Sequence, residues 1–184
     1  MLATLAIGLF AVLLVVVATR PDTFTVRRSA TIAAPAEVIY AQIHDFHRWP
    51  AWMSYDQMDP AIRRSFEGAP RGVGATYHYV SRKVGEGRMT ITELQPNQRV
   101  ALRAEFIKPF AAVNDIEFTL GRAYGGVRVT WSMSGKNTLM GKVLSVFIDM
   151  DRMIGRDFEK GLADLRVVAE SEARAAATPA AAAA

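Results

Sequence analysis

The feature that most constrains this chain is a change of period. Between residues 61 and 135, apolar and polar side chains alternate in one short segment after another; from Leu139 to about Glu170 the apolar residues recur every third or fourth position instead. Alternation is the mark of strands with one covered face, and the longer period marks an amphipathic helix. The alternation is clearest in Val100, Leu102, Ala104 and Phe106 against Arg99, Ala101, Arg103 and Glu105, and in Val127, Val129, Trp131 and Met133 against Arg128, Thr130 and Ser132. Turn signals at Gly72-Val73-Gly74, Gly85-Glu86-Gly87, Pro96-Asn97 and Gly125-Gly126 divide the stretch into strands near 61–67, 75–82, 86–94, 98–107, 113–121 and 125–135. A consecutive antiparallel sheet with one apolar face must be covered, and the terminal helix is the segment that can do it.

Ahead of these strands, Phe24, Val26, Ala30 and Ile32 alternate with Thr25, Arg27, Ser29 and Thr31, which makes a seventh strand, with Arg28 on its inward phase. Ala34-Pro35 opens a helix whose apolar side is Val38, Ile39, Ile43 and Phe46, with Glu37 favourable near its positive end. Pro50 disfavours helical geometry at Trp49, so the run from His44 to Trp52 reads as a helix-to-helix corner. The expected class is α+β: one strand, two short helices, six strands and a long C-terminal helix.

That order resembles the helix-grip fold of the START-like, or SRPBCC, superfamily, which includes polyketide cyclase/dehydrase relatives. The likeness extends to Arg28-Ser29, to Ala34-Pro35-Ala36-Glu37-Val38, to Asp45-Phe46 followed by Trp49-Pro50-Ala51-Trp52, to Gly85 through Ile91, to Pro109-Phe110 and, most specifically, to Met150 through Leu162. The resemblance implies a seven-stranded curved antiparallel sheet wrapped around the C-terminal helix, with a hydrophobic cavity between them for a lipid, quinone, polyketide or similar molecule. It implies no particular reaction.

The ends of the chain carry separate signals. No charged side chain occurs from Met1 to Thr19, and Leu2 to Ala18 is almost wholly apolar. Such a run is about 25 to 28 Å long as a helix, enough to cross a hydrocarbon core. The start lacks a basic n-region and a convincing cleavage site, so an uncleaved transmembrane anchor over residues 1–20 is favoured over a secretory signal. Arg20, Arg27 and Arg28 follow it directly, which predicts a single-pass protein of a bacterial inner membrane with its domain on the cytoplasmic side. Residues 22–172 form the domain, and residues 173–184 are expected to be a disordered Ala-rich tail.

Composition removes several classes of function. The chain of 184 residues has no Cys, which excludes disulfides, thiolate metal sites and a thiol nucleophile. Its 22 Lys plus Arg exceed its 18 Asp plus Glu, but they are spread along the chain without the clustered stripe that nucleic acid requires. No nucleophile elbow, phosphate loop or dinucleotide fingerprint is present. His44 and His47 share a helical face beside Asp45, yet no third ligand lies nearby. No metal, cofactor or nucleic acid is therefore expected, and no protein partner is specified.

The inward phases give the candidate ligand-binding set: Trp49, Trp52, Tyr77, Tyr79, Met89, Ile91, Phe106, Phe118, Trp131, Phe147, Met150, Asp151 and Ile154. Aromatic rings and Met make an adaptable apolar wall, although the same residues can simply fill a core. Glu93 shares their phase and is expected at the cavity rim; His78 does not, and is expected on the outer face. Asp151 is the candidate catalytic group. At 100° per residue it falls between Phe147, Ile154 and Phe158, where a carboxylate needs a partner such as Arg28 or the indole of Trp49 or Trp52, or acquires a raised pKa. Three functions follow: binding of a hydrophobic small molecule, a cyclase/dehydrase-like enzyme using Asp151 or a pocket Tyr, and a membrane-tethered adaptor for another protein.

Overall fold

A computed structural model describes Gly8, residues 14–147 and residues 149–182. The seven expected strands are β1 (Thr23–Ile32), β2 (Arg63–Gly68), β3 (Ala75–Ser81), β4 (Gly85–Gln95), β5 (Arg99–Lys108), β6 (Ala112–Ala123) and β7 (Gly126–Lys136). They form one antiparallel sheet in the order β1-β7-β6-β5-β4-β3-β2. Strands β2 to β7 make a simple meander, and the first strand closes on the last, with Thr23 opposite Lys136 and Ile32 opposite Val127. The connection from β1 to β2 holds helix α1 (Ala36–Ile43), a 3-10 turn over Phe46–Ala51 and the short helix α2 (Ser54–Met58).

The C-terminal segment departs from the expectation of one unbroken helix. It is two: α3 (Leu139–Phe147) and α4 (Met150–Ala182). Asp149 begins the second, its Oδ1 accepting from the Arg152 N–H at 3.0 Å, as a side chain does at a helix start. The helix continues to Ala182 through most of the stretch expected to be a disordered tail, and alanine is the residue best suited to sustain it. The expected anchor lies largely outside the described residues; within it, residues 14–18 are helical. Among the described residues no helix is long and apolar enough to cross a membrane.

One layer of aromatic rings joins sheet to helix. Trp131 of β7 stacks on Phe158 of α4 with ring centroids 4.1 Å apart and planes at 10°, and it also meets Phe118 at 4.9 Å and Trp52 at 6.1 Å. These rings are almost wholly buried. Gly161 lets the helix come this close, since a Cβ there would meet Trp131 Cζ3 at 2.8 Å. Gly155, one and a half turns earlier, does the same for Arg28, whose guanidinium occupies the space a side chain would need. At the other end, Glu170 accepts from the Ala33 N–H and Glu172 binds Gln42 and Arg48, tying α4 to the β1–α1 corner.

Phe158 is the side chain with the most to lose in this layer. Phe158→Ala will lower unfolding free energy by about 3 to 5 kcal/mol, measured by denaturant unfolding followed through tryptophan fluorescence.

Candidate functional site

The inner face of the sheet divides into two regions. Around Trp131 the space between sheet and α4 is filled by the protein's own side chains: Trp49, Trp52, Phe118 and Trp131 are 0–1% exposed, and Ile91 and Ile154 are buried beside them. At this level the described side chains close the space in which the cavity was expected. Its aromatic lining is core, because the two helix glycines bring α4 into contact with the sheet. The indoles of Trp49 and Trp52 are also spent, donating to the carbonyls of Ile43 (2.9 Å) and Gln42 (3.2 Å) at the end of α1.

The second region lies toward the end of the sheet that carries the β3–β4 and β5–β6 turns. Register aligns Tyr77, Met89, Ala104, Asn114 and Gly135 across five strands, and Tyr79, Gly87 and Phe106 form the next row outward. Tyr77, Tyr79 and Met89 are buried and Phe106 half-buried. Met150 is half-buried at the start of α4, and the side chain of Phe147 lies outside the described residues.

Three buried polar atoms in the described interior have no hydrogen-bond partner: Trp131 Nε1, Asn114 Oδ1 and Asp56 Oδ2. Each such atom costs about 1 to 3 kcal/mol unless something meets it. Asn114 interrupts an otherwise apolar wall, its amide nitrogen finding only the Met133 sulfur at 3.6 Å.

Asp56 forms the main polar cluster. Its side chain is 1% exposed, and Oδ1 accepts from Tyr77 Oη and from Arg64 Nε, both at 2.6 Å. Burial raises the phenols of Tyr77 and Tyr79, Tyr79 to about 12, and the Asp56 charge pushes both further the same way. Beside the neighbouring residue of α2, Tyr55, burial also pushes the Asp157 carboxyl up and, with the Asp157 charge, the Tyr55 phenol. None of Asp56, Arg64 and Asn114 was singled out from the sequence. Periodicity cannot place an acid in a five-residue helix, but two inward tyrosine hydroxyls on β3 each needed an acceptor, which was the available signal.

Asp151 is not the buried acid that periodicity suggested. Its side chain is 60% exposed and paired with Arg28 at 2.9 Å, which also binds Glu159 at 2.8 Å. The hydrogen bond from Arg28 holds its carboxyl below the ordinary value, the reverse of the shift expected for a general acid. At 100° per residue Asp151 does share the side of Ile154 and Phe158, but it stands in the first turn of α4, where the helix end leaves it open to solvent and within reach of Arg28. Of the partners considered, Arg28 is the one present.

Glu93 also lies elsewhere. A register irregularity between Ile91 and Glu93 flips the phase of β4 and sends this residue to the outer face. There Arg99 bridges Glu93 at 2.7 Å and Glu117 at 2.6 Å, within an open trough of about 430 Å³ that Arg27 and Asp115 also line. His78 is on the outer face as expected, 3.6 Å from Glu86. His44 Nδ1 engages the Tyr40 carbonyl and His47 Nδ1 engages Asp45. Among the described residues no group of three potential ligands could hold a metal.

Two pH effects follow. A phenol whose pKa is raised on folding holds its proton more tightly in the native state, so this contribution is intact below pH 10 and is lost as pH rises toward about 12. Unfolding midpoints will therefore fall across that window, and Tyr79→Phe will flatten the decline. For Asp151 the sign is opposite: its contribution is present above pH 3.8 and is lost as pH falls through the lower native value. Asp151→Asn will destabilise slightly at neutral pH and not at all in strong acid, read by the same unfolding curves.

Comparison with known proteins agrees with this architecture. The family model described as "Polyketide cyclase / dehydrase and lipid transport" matches residues 23–170. Among solved structures, protein CV1439 from Chromobacterium violaceum is 16% identical, covering 82% of this chain and 99% of its own, with a TM-score of 0.59. Aha1 from Colwellia psychrerythraea is 17% identical over 80% of this chain and 96% of its own, at 0.58. The di-domain ARO/CYC StfQ of steffimycin biosynthesis is 10% identical at 0.61, covering 82% of this chain, which spans about half of StfQ. A search of curated protein sequences returns no match. At these identities the structures establish the shared fold, and the match over residues 23–170 establishes the lineage: the chain belongs to the polyketide cyclase / dehydrase and lipid transport family.

Proposed function

We propose that the domain binds a hydrophobic small molecule bearing a polar group, against the turn-end half of the inner sheet face. The observation that carries this reading is the unpaired carbonyl oxygen of Asn114, buried in a wall of Tyr77, Met89, Ala104 and Met133. A polar atom left unmatched in an apolar surface lowers the stability of the empty protein and gains a partner when a ligand donor arrives. A hydroxyl-bearing lipid headgroup, a quinone in its reduced, quinol form or a polyketide hydroxyl supplies such a donor. The proposal includes the anchor: residues 1–20 as a single membrane span of a bacterial inner membrane, the domain on the cytoplasmic side, the tether holding the site near a membrane-partitioned ligand and raising its effective concentration.

A cyclase/dehydrase-like enzyme is the second reading, and Asp56 favours it. A carboxylate holding the Tyr77 phenol and Arg64 at 2.6 Å is an acid–base pair in form. It ranks below binding because Asp56 Oδ1 is already spent on Tyr77 and Arg64.

The test is organic extraction of the purified full chain followed by mass spectrometry. A stoichiometric apolar compound is the expected result; no extractable compound, together with no binding of a lipophilic fluorescent probe, overturns the reading. Asn114→Leu adds a signed check. It will stabilise the empty protein by about 1 kcal/mol, by removing an unmatched oxygen, while weakening ligand or probe binding roughly tenfold.

A further inference from the structure

One end of the sheet gathers features that the small-molecule reading does not use. The meander brings together the β3–β4 turn (82–84), the β5–β6 turn (109–111), the end of β7 and the start of β1, as the pairings of Ser81 with Gly85, Glu86 with Lys108, Phe106 with Ala112 and Thr23 with Lys136 require. At this end Phe110 is 58% exposed at the tip of its turn, with Ile107 and Val113 exposed on the strands that flank it. Leu139, just beyond β7, is 74% exposed. Flanking these apolar residues are the exposed cations Arg82, Lys83 and Lys136; Lys83 Nζ donates to the Met58 carbonyl at 3.3 Å and faces Asp59, while Glu86 and Asp22 are paired with Lys108 and Lys142 at 2.8 and 2.6 Å. Exposed apolar side chains ringed by cations fit a bilayer interface carrying anionic headgroups.

The chain's own path identifies the occupant. The Asn137 N–H donates to the Asp22 carbonyl at 2.7 Å, and its side chain donates to the Pro21 carbonyl at 3.2 Å. With the Lys142–Asp22 pair, these bonds fix residues 21–22 to the loop after β7. The uncharged run Met1–Thr19 therefore joins the domain at this same end, with only Arg20 between.

We infer that this end of the domain docks on the anionic bilayer surface, with Phe110 among the acyl chains and Arg82, Lys83 and Lys136 on phosphate headgroups. The inference rests on the anchor reading above for its choice of partner, and it adds an orientation. Phe106 and Tyr79, the outermost row of the inner face, then lie nearest the lipid, so an apolar ligand passes between bilayer and protein by the shortest route.

The absence of cysteine makes the test clean. Phe110→Cys and, at the opposite end of the sheet, Tyr124→Cys each give one labelling site for an environment-sensitive fluorophore in the full chain, reconstituted in vesicles containing phosphatidylglycerol. The label at 110 is expected to shift to the blue and be quenched by nitroxide-bearing lipid, while the label at 124 is quenched by aqueous iodide. Lys83→Glu with Lys136→Glu is expected to lower the docking equilibrium constant on anionic vesicles and not on neutral ones, by roughly twentyfold or more at about fivefold per lysine. Flotation after an alkaline wash separates the two ideas. Wash-resistant protein with a label at 110 as wet as that at 124 overturns docking and leaves the anchor. Protein released by the wash whose label at 110 was buried beforehand supports docking and overturns the anchor. No association with vesicles under either condition overturns both.

Discussion

The contact on which this architecture depends is Trp131 of the last strand lying flat on Phe158, against a helix backbone opened by Gly161. A helix interior gives up about 1 kcal/mol to hold a glycine in place of alanine. Here the glycine admits the largest ring in the protein, and stacking Phe158 over the same ring sets the helix both in height and in rotation. Gly155 repeats the arrangement with Arg28, so that first strand, last strand and helix meet along one seam. The rest of the core follows from that seam. Trp52 and Phe118 pack edge-on or tilted around Trp131, and the corner between α1 and α2 takes its position from the two indoles bound to the end of α1.

Closing sheet and helix so tightly in one place decides where anything else can bind. A guest cannot enter the Trp131 layer without displacing side chains that are 0–2% exposed. The inner face is less uniform toward the sheet turns, where Ala104 and Gly135 stand among larger neighbours and Asn114 sets an unmatched oxygen between them. The same end carries the exposed Phe110 and the point where the apolar N-terminal run joins the domain. The proposed ligand site and the proposed docking surface thus share one end of the molecule, while the outer face of the sheet carries ion pairs such as Arg99–Glu117 and Arg88–Glu105.

Much of this was readable in the residues, and the failures have definite causes. Alternation located strands such as β3, β5 and β7, which have one wet and one covered face, and it placed Tyr77, Tyr79, Met89 and Trp131 on the covered side; β2, exposed along its whole length, followed from the turn signals instead. Periodicity put Asp151 on the right side of its helix but misjudged its burial, since a phase does not say how far the covered surface extends and Asp151 stands in the first turn of α4. It misplaced Glu93 because a one-residue irregularity inverts every side chain beyond it. Asp56 escaped notice in a helix too short to have a period. Gly155 and Gly161 stand in the sequence as unfavourable residues in a helical run. Their meaning is three-dimensional, because only the folded sheet shows what presses against them.

The pairing of β1 with β7 has a consequence for how the molecule is made. Thr23 lies opposite Lys136, so β1, made before the other strands of the sheet, has no neighbour until β7 has been synthesised. At ordinary elongation rates of about 5 to 20 residues per second, that interval is roughly 6 to 23 s. During it, the alternating segment Phe24–Ile32 offers an open hydrogen-bonding edge to any other nascent strand. Its arginines at 27 and 28 are charges of the kind that discourage such encounters until the proper partner has been synthesised.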